Sequence, residues 1–413
     1  MLKYVRNELF VEKVAVSNLA KKYNTPLYIY SQDKLEANFN AYKTGFKGVD
    51  SIICYAMKAN SNYAILKLLA KLGAGADIVS GGELYRALKA GINPRKIVYS
   101  GVGKTSKEIE FALKSDILMF NIESFEELEQ INKIAGKLKK KARISFRVNP
   151  NVDAHTHKYI TTGKEGNKFG IRYEDAFDIY MKASKMKNIE IVGVGSHIGS
   201  QILDVTPFKL AAKKISALID KLESNGMKIK YIDIGGGLGI KYAAADKPQK
   251  PIDLRKMVMS VYSKYKDKTI IVEPGRAIVG DAGILVGEVL YRKTSGPKNF
   301  IITNLAMNDL IRPALYESYH SVIPVKKSSK KQQVADVVGP VCESGDFIAK
   351  DRTLPIFEQG EFIVAECAGA YGRAMASQYN SRPRGAEVLV KGSKVKVIRK
   401  AETIEDLMSK EIK

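Results

Sequence analysis

The chain has 413 residues, a formal net charge of +23 and 45% apolar residues, which is typical of a globular protein with one large domain and a smaller one. No apolar run reaches the roughly 18 residues that span a bilayer, and no signal-peptide core follows the N-terminus. The three cysteines are widely spaced and fit no metal-ligand pattern. We therefore expect a cytoplasmic protein without a membrane partner, a metal or a disulfide framework.

The positive charge raises nucleic-acid binding as an alternative. The lysines are spread through the chain, mostly on the polar faces of predicted helices, and the denser runs are 137–141 and 326–331. Neither run is interleaved with aromatic residues that stack on bases. We therefore expect a lysine-rich surface and no nucleic-acid partner.

Helix-like and strand-like segments alternate up to residue 280. An N-terminal helix is predicted over 32–39, and amphipathic helices over 64–72, 84–90, 128–138, 208–222 and 254–265. Short segments rich in Ile and Val, bounded by Gly, Pro or Asn, predict strands over 51–58, 75–80, 96–101, 117–122, 142–150, 189–199, 229–239 and 268–280. Eight such strands with intervening helices match an α/β fold of the (β/α)8 TIM barrel type better than an open doubly wound sheet.

After residue 280 the pattern changes to strands joined by turns. Strands are predicted over 282–291, 300–304, 334–338, 361–366 and 387–398, with almost no helix between them. The N-terminal segments 9–11 and 27–30 have no partners of their own and are expected to add strands to the same domain. The predicted organisation is a barrel over 32–280 and a second, mostly β domain, sandwich-like or barrel-like, formed by 1–31 and 281–413.

Lys58 ends an apolar run, 50–56, that predicts a buried strand. Burial disfavours the charged form of a lysine and lowers its pKa. A neutral amine of this kind condenses with an aldehyde to form a Schiff base. The alternative, a lysine that extends from a strand end into solvent, is the commoner one for an isolated lysine.

Other chemically distinctive residues fall at the predicted C-terminal ends of the strands, where barrels of this kind place their active sites. These residues are Asp77, Arg147, Asn149, the segment 196–201, Asp233 with the glycines 235–237, and the segment 273–276. Each has a structural alternative, such as a capping Asp, a core His or a tight Gly turn. Their coincidence with Lys58 on one rim indicates a functional site.

The glycine run 235–237 predicts a phosphate site. Glycines let backbone N–H groups approach an anion closely, and a glycine-rich turn after the seventh strand of a barrel is a recurrent phosphate site. Gly275 and Arg276 add donors and charge beside it. A dinucleotide fingerprint is rejected because the βαβ context with a following acidic residue is missing. An aldehyde-trapping lysine with a phosphate site points to pyridoxal 5'-phosphate.

Two further rim residues suit the same cofactor. His197 either stacks on the pyridine ring or caps a core strand, and the sequence leaves both alternatives open. Glu273 has a carboxylate that can face the pyridine nitrogen and keep it protonated, which makes the ring an electron sink.

Ordered matches along nearly the whole chain carry a resemblance to a known family. They are 55–60, 80–84, 162–163, 168–170, 197–201, 235–237, 273–276, 311–317, 342–346 and 369–372. On these segments the sequence resembles the alanine-racemase-like barrel family of fold type III pyridoxal-phosphate enzymes, and within it the decarboxylases.

The resemblance implies a role for each matching residue. Lys58 would hold the cofactor covalently, with His197 on its ring, Glu273 against its nitrogen and Pro274 beside it. The phosphate would be surrounded by Ser200, Gly236, Gly237, Gly275, Arg276 and Tyr371. The substrate would be held by Arg276, Arg312, Tyr316, Glu343 and Tyr371. Cys342 would return a proton to the α-carbon after carbon dioxide leaves, and Cys342 and Glu343 would belong to the neighbouring subunit's site in a homodimer. Lys58, Cys342 and His197 would thus be catalytic.

The implied reaction is decarboxylation of meso-2,6-diaminopimelate to L-lysine, the last step of lysine biosynthesis. Arg312 can bind the remote carboxylate of such a substrate in a bidentate manner and Glu343 its remote ammonium, and an unmatched buried charge penalises other substrates. The alternatives are a decarboxylase of the same fold that acts on another diamino acid or a carboxylated polyamine, and a non-catalytic homologue. The presence of Lys58 and Cys342 argues against the second alternative.

Overall fold

The computed structural model describes residues 1–153, 168–327 and 329–412. Thr162 and Gly163, which belong to the family pattern, lie outside the described residues. The chain divides into two compact units. One comprises Phe39–Ile240 and Lys247–Ala277, and the other comprises Met1–Asn38, Lys241–Asp246 and Ile278–Lys413.

The chain begins with a small antiparallel sheet. Its strands are β1 (Leu2–Val5), β2 (Glu8–Val11) and β3 (Val14–Ala15), and they are followed by α1 (Val16–Tyr23), β4 (Leu27–Ser31) and α2 (Gln32–Gly45). Helix α2 begins where the sequence predicts a helix and is longer than predicted, and the division between the two units falls within it.

The unit that begins at Phe39 is a closed barrel of parallel strands. Its strands are β5 (Ser51–Ala56), β6 (Gly75–Ile78), β7 (Ile97–Tyr99), β8 (Met119–Ile122), β9 (Ala142–Asn149), β10 (Ile171–Arg172), β11 (Ile189–Gly195), β12 (Tyr231–Asp233) and β13 (Thr269–Val272). Among the described residues, eight of these strands form the ring, in which β8 pairs with β9 and β13 pairs with β5. The short β10 pairs with β9 outside the ring and was not predicted. The predicted (β/α)8 barrel is confirmed.

Helices follow the strands around the barrel. They are α3 (Tyr63–Lys71), α4 (Gly81–Ala90), α5 (Ser106–Lys114), α6 (Phe125–Lys137), α7 (Tyr173–Ala183), α8 (Thr206–Ser224), α9 (Pro251–Tyr262) and α10 (Arg276–Val279). Several of these helices begin directly after a Ser or Thr residue, which are residue types favoured at the N-cap. The Ser80 and Ser124 side chains each accept a backbone N–H three residues later, and Thr105 forms a reciprocal capping box with Glu108.

Most barrel strands end earlier than predicted. The first ends at Ala56, where a turn of 3-10 helix, Met57–Ala59, takes over. The last ends at Val272, and α10 occupies part of the predicted 268–280 strand. Apolar residues continue past the last ladder hydrogen bond, so hydrophobicity alone overestimates strand length. The residues beyond these ends form the rim that carries the distinctive side chains.

The remaining unit is built on a large mixed sheet. Its elements are β14 (Gly283–Ser295), β15 (Lys298–Thr303), α11 (Arg312–Tyr316), β16 (Val322–Pro324), β17 (Gln332–Val338), β18 (Phe347–Pro355), β19 (Phe362–Ala365), β20 (Ala386–Lys391) and β21 (Lys394–Arg399). The strand order is β18-β17-β15-β14-β4-β20-β21, and β19 pairs with β14 and β16. The predicted second, mostly β fold is confirmed.

Three details of this unit differ from the sequence-based expectations. The predicted strand 387–398 is a hairpin that turns at Gly392, whose φ of +58° lies in the left-handed region that glycine adopts easily. Strands β16 and β18 were not predicted. Segment 27–30 joins the large sheet through β4, whereas 9–11 belongs to the small N-terminal sheet. Both nevertheless share one apolar core, which includes Leu9, Val11, Leu27, Ile29, Val286, Val364 and Val388.

None of the helices within the described ranges has both the length and the apolar character needed to cross a membrane.

Candidate active site

Lys58 lies at the rim of the barrel, on the turn that follows β5. Its Nζ is 2.9 Å from Oδ2 of Asp77, which is fully buried on β6. The Lys58 side chain is 37% exposed. The sequence argument relied on burial to activate this amine, and the structure instead pairs it with a buried carboxylate at an accessible position. An aldehyde can therefore reach the nitrogen.

A pocket opens beside Lys58. It is lined by Lys58, Ser100, Asn121, Arg147, Gly195, Ser196, His197, Asp233 and Glu273. Every one of these residues lies at or near the C-terminal end of a barrel strand. The pocket is thus in the place where a barrel of this type carries its chemistry.

The pocket contains two buried carboxyl groups, those of Asp233 and Glu273. The Asn121 amide connects them, with Nδ2 at 2.9 Å from Asp233 Oδ2 and 3.5 Å from Glu273 Oε1. Burial, reinforced by the charges of Asp233 and Asp77, raises the pKa of Glu273 well above its usual range. Burial also raises the pKa of Asp233 to about 6. The pair therefore favours retention of a proton, because two adjacent carboxylates do not both ionise readily.

His197 is held as a neutral ring. The backbone N–H of Gly236 donates to His197 Nδ1 at 3.2 Å, so the ring proton resides on Nε2. Burial, together with the positive charges of Arg147 and Lys58, lowers the pKa of His197 well below its usual range. A neutral, flat ring at this position suits packing against an aromatic ligand.

The glycine run after β12 makes a narrow backbone turn. Gly235 and Gly237 have φ values of +67° and +116°, which favour glycine. A Cβ at Gly236 would lie 2.1 Å from the carbonyl oxygen of Glu273. This close approach explains why the turn is built from glycine. Within the turn, the N–H groups of Gly235 and Gly236 donate to Asp233 Oδ1 and His197 Nδ1 at 2.9 and 3.2 Å.

A buried arginine and a serine hydroxyl form a second polar group of the barrel. Arg276, at the start of α10, is buried, and its Nη2 and Nε contact Ser200 Oγ at 3.1 and 3.3 Å. Gly275 packs against β5, where a Cβ would meet the side chains of Ala56 and Ala59 at 3.1 Å. A guanidinium with a hydroxyl group is a donor set that binds phosphate well.

The other predicted site residues lie in the β unit. Arg312 is buried on α11, with Nη1 2.8 Å from His320 Nε2 and Nη2 3.1 Å from Ser318 Oγ. His320 Nδ1 lies 2.8 Å from the carbonyl oxygen of Glu366. Because that oxygen only accepts, Nδ1 carries the ring proton and Nε2 accepts from Arg312. Sequence reasoning missed His320 and Ser318, which orient the guanidinium.

Tyr316 and Tyr371 are both partly buried, and Tyr371 has a left-handed backbone with φ of +58°. Cys342 and Glu343 are exposed on a turn that follows β17, where the Cys342 N–H donates to Asn380 Oδ1 at 2.7 Å. These residues do not belong to the barrel unit that contains Lys58.

The barrel brings together the predicted residues Lys58, His197, Ser200, Gly236, Gly237, Glu273, Pro274, Gly275 and Arg276. Sequence reasoning missed Asn121 and Ser100. Asn121 is a buried amide in the apolar strand Met119–Ile122, and this polar interruption was the signal that could have identified it. No group of His, Cys, Asp and Glu side chains suited to a metal ion occurs in the described parts of the chain.

Comparisons with known proteins agree with this geometry. Residues 32–280 match the family described as pyridoxal-dependent decarboxylase, pyridoxal binding domain. The chain is 54% identical over 401 residues to the diaminopimelate decarboxylase of Aquifex aeolicus (strain VF5), covering 97% of this chain and 95% of that protein.

Solved structures give the same result. The diaminopimelate decarboxylase of Helicobacter pylori complexed with L-lysine has a TM-score of 0.92 and 47% identity, covering 95% of this chain and 98% of that one. The enzyme of M. jannaschii in co-complex with L-lysine has a TM-score of 0.95 and 38% identity, covering 100% of this chain and 97% of that one.

A barrel with a rim lysine, a buried acid and a glycine-rich turn, matched by this family over 32–280, places the chain among the pyridoxal-dependent decarboxylases. Identity along nearly its full length makes it a member of the diaminopimelate decarboxylase family.

Proposed function

We propose that this protein decarboxylates meso-2,6-diaminopimelate to L-lysine and carbon dioxide, the last step of lysine biosynthesis, with pyridoxal 5'-phosphate as its cofactor. The observation that carries the proposal is the convergence of Lys58 and the proton-sharing pair Asp233 and Glu273 on one pocket of the barrel. A reactive amine and a retained proton in one pocket match the aldehyde and the basic nitrogen of this cofactor.

The residues of the barrel fit the cofactor. Lys58 would join its aldehyde, and Glu273 would give its proton to the ring nitrogen and then face it as a carboxylate, which keeps the nitrogen charged. His197 would pack on the ring, with Pro274 beside it. The phosphate would be held by Ser200, Gly236, Gly237, Gly275 and Arg276 of the barrel unit, together with Tyr371 of the β unit. When bound, the cofactor supplies an electron sink for the pair that remains on the α-carbon as carbon dioxide leaves.

The β unit would supply substrate recognition. Arg312 would bind the remote carboxylate, because His320 and Ser318 hold its guanidinium in a defined orientation. Tyr316, Tyr371 and Arg276 would complete the site, and Glu343 would accept hydrogen bonds from the remote ammonium. L-lysine, the product of the proposed reaction, is present in the Helicobacter pylori and M. jannaschii relatives.

Release of carbon dioxide from meso-diaminopimelate, ornithine, arginine and carboxynorspermidine, measured side by side, tests the substrate. Diaminopimelate should be preferred strongly by the unmodified protein, and Arg312→Gln should lose most of that preference. Arg352→Gln is the matched control, since Arg352 stacks on Tyr319 in the same unit and has no assigned role in the reaction. A preference for ornithine would support a different decarboxylase of this fold and contradict the role of Arg312.

We further propose a homodimer with shared active sites, in which Cys342 returns a proton to the α-carbon in the partner's site. The exposure of Cys342 and Glu343 on one turn supports this arrangement, because such residues are available to a second subunit. Mixing inactive Lys58→Ala and Cys342→Ala proteins should restore part of the activity. Failure to restore any activity would argue for self-contained subunits.

Two remaining expectations are also proposals. We propose that the domains are 32–280 and the combination of 1–31 with 281–413, and limited proteolysis with mass spectrometry tests these bounds.

We propose that the protein works in the cytoplasm, because Cys54, Cys342 and Cys367 are all free thiols and a reducing compartment keeps thiols free. Fractionation of cells that express the tagged chain tests this location.

A further inference from the structure

Arg147 lines the pocket beside Lys58 and His197, and none of the roles above uses it. It lies near the C-terminal end of β9, and its side chain is 12% exposed. Its Nη1 is 3.2 Å from Glu123 Oε1, and its guanidinium carbon lies 4.7 Å from the centre of the Phe169 ring. The ion pair and the aromatic contact fix the plane of the guanidinium.

The other terminal nitrogen of Arg147 is in a different situation. Nη2 is buried and has no hydrogen-bond partner in the part of the chain that the structure describes. A guanidinium keeps its charge and carries five N–H donors, and a buried charged donor without an acceptor is costly. In a pocket that binds a ligand, such a nitrogen indicates an acceptor atom on that ligand.

The local fold is built to support this arginine. The N–H of Gly170 donates to Glu123 Oε2 at 2.7 Å, so Glu123 is itself held in place. Gly170 has a φ of +73°, and a Cβ there would lie 2.8 Å from the carbonyl oxygen of Arg147. The segment 168–170, one of the family-like matches in the sequence, therefore supports the position of Arg147 through Phe169 and Gly170.

The substitution pattern of the cofactor ring identifies the acceptor. In pyridoxal phosphate, the aldehyde carbon lies opposite the ring nitrogen, with the phosphate arm on one edge and a hydroxyl group on the other. If the nitrogen is at Glu273 and the phosphate at the glycine run, the hydroxyl edge would face the rest of the pocket wall. Apart from Lys58, His197 and Glu273, that wall comprises Ser100, Asn121, Arg147, Gly195, Ser196 and Asp233. Among these six residues, Arg147 alone is a cation.

We propose that Nη2 of Arg147 donates a charge-assisted hydrogen bond to the ring hydroxyl oxygen of the bound cofactor. This inference rests on the proposed cofactor orientation and extends it to the third edge of the ring. The contact stabilises the ionised form of that oxygen and holds the ring in register with Lys58. Arg147 is thus a cofactor-positioning residue that discriminates pyridoxal compounds by their ring hydroxyl.

Binding of two non-reactive ligands tests the proposal without any catalytic readout. One is pyridoxine 5'-phosphate, whose alcohol replaces the aldehyde and cannot join Lys58, and the other is its analogue with hydrogen in place of the ring hydroxyl. Isothermal titration should show the unmodified protein binding the first roughly 10- to 100-fold more tightly. Arg147→Met and Arg147→Lys should lose most of that ratio, since a lysine lacks the planar fork. Arg143→Met, on the same strand and paired with Asp116, should keep it.

The outcomes separate the alternatives. Equal affinity of the unmodified protein for the two ligands would overturn the proposed contact, and this comparison needs no variant to fold. Equal weakening of both ligands by Arg147→Met would mean that Arg147 has only a structural role. Binding of neither ligand by the unmodified protein would instead contradict the proposed cofactor itself.

Discussion

Lys104 is a deeply buried lysine beside the pocket residue Asn121, and its replacement by methionine has a calculable effect on stability. The side chain is 1% exposed, and its Nζ is 2.6 Å from Glu127 Oε1. The same nitrogen donates to the carbonyl oxygens of Gly101 and Asn121 at 2.8 and 2.9 Å. Lys104→Met keeps the length and apolar stem of the side chain and removes a charge with three hydrogen bonds.

The expected loss follows from these contacts. Two unit charges 2.6 Å apart attract by roughly 6 kcal/mol at an effective dielectric constant of about 20, but the desolvation of both groups offsets part of this attraction. Removing one partner of a buried pair costs about 3–5 kcal/mol. For a domain of this size, about 4 kcal/mol corresponds to a fall of about 8–16 °C in the melting temperature.

Circular dichroism is the suitable assay, since the chain has no tryptophan. Lys104→Met should melt about 8–16 °C lower than the unmodified protein at pH 8. The double variant Lys104→Met with Glu127→Gln should recover roughly half of the loss, because it leaves no buried carboxylate without a counter-charge. A single variant that loses less than about 3 °C, or a double variant that is less stable than the single one, would refute the reasoning.

The pH dependence of the same variant gives a further check. Burial raises the pKa of Glu127 despite the opposing effect of Lys104, and removal of Lys104 raises it further. A carboxyl group whose pKa is higher in the folded state destabilises the fold as pH rises through the usual and then the raised pKa. The deficit of Lys104→Met should therefore shrink as the pH is lowered from 8 to 5, and a constant deficit would contradict this explanation.

Three further predictions concern the cofactor site and the β unit. Gly236→Ala should weaken binding of pyridoxal phosphate at least tenfold, measured by titration of its absorbance, because a Cβ would lie 2.1 Å from the Glu273 carbonyl oxygen. Lys58→Ala should leave no borohydride-reducible adduct at this position by peptide mass spectrometry. Burial opposes ionisation of Glu402, but hydrogen bonds from Arg384 hold its pKa at about 2. This stabilisation is therefore lost as the pH falls from about 4.5 towards 2, and Glu402→Gln should flatten the acid side of the melting profile.

The sequence alone was sufficient for the architecture and for most of the barrel rim. Alternating apolar segments with glycine, proline and cap residues at their ends are local signals, so they predicted the eight barrel strands that the structure contains. Lys58, His197 and Glu273 were found in the same way, because each immediately follows an apolar strand. The exact strand ends were predicted less well, since the end of a strand depends on its neighbours' hydrogen bonds and hydrophobicity does not report them.

Only the tertiary structure decided the electrostatics of the site. The sequence predicted a buried Lys58 amine, whereas the structure shows a partly exposed amine that is paired with Asp77. This ion pair joins residues from two different strands, so the local sequence could not report it. Asn121 contacts both Asp233 and Glu273, which lie 112 and 152 residues further along the chain. Charge states depend on distances and burial in three dimensions, whereas sequence periodicity reports only which face of an element is apolar. The sequence thus determined which residues reach the rim, and the folded chain determined which of them share a proton or a charge.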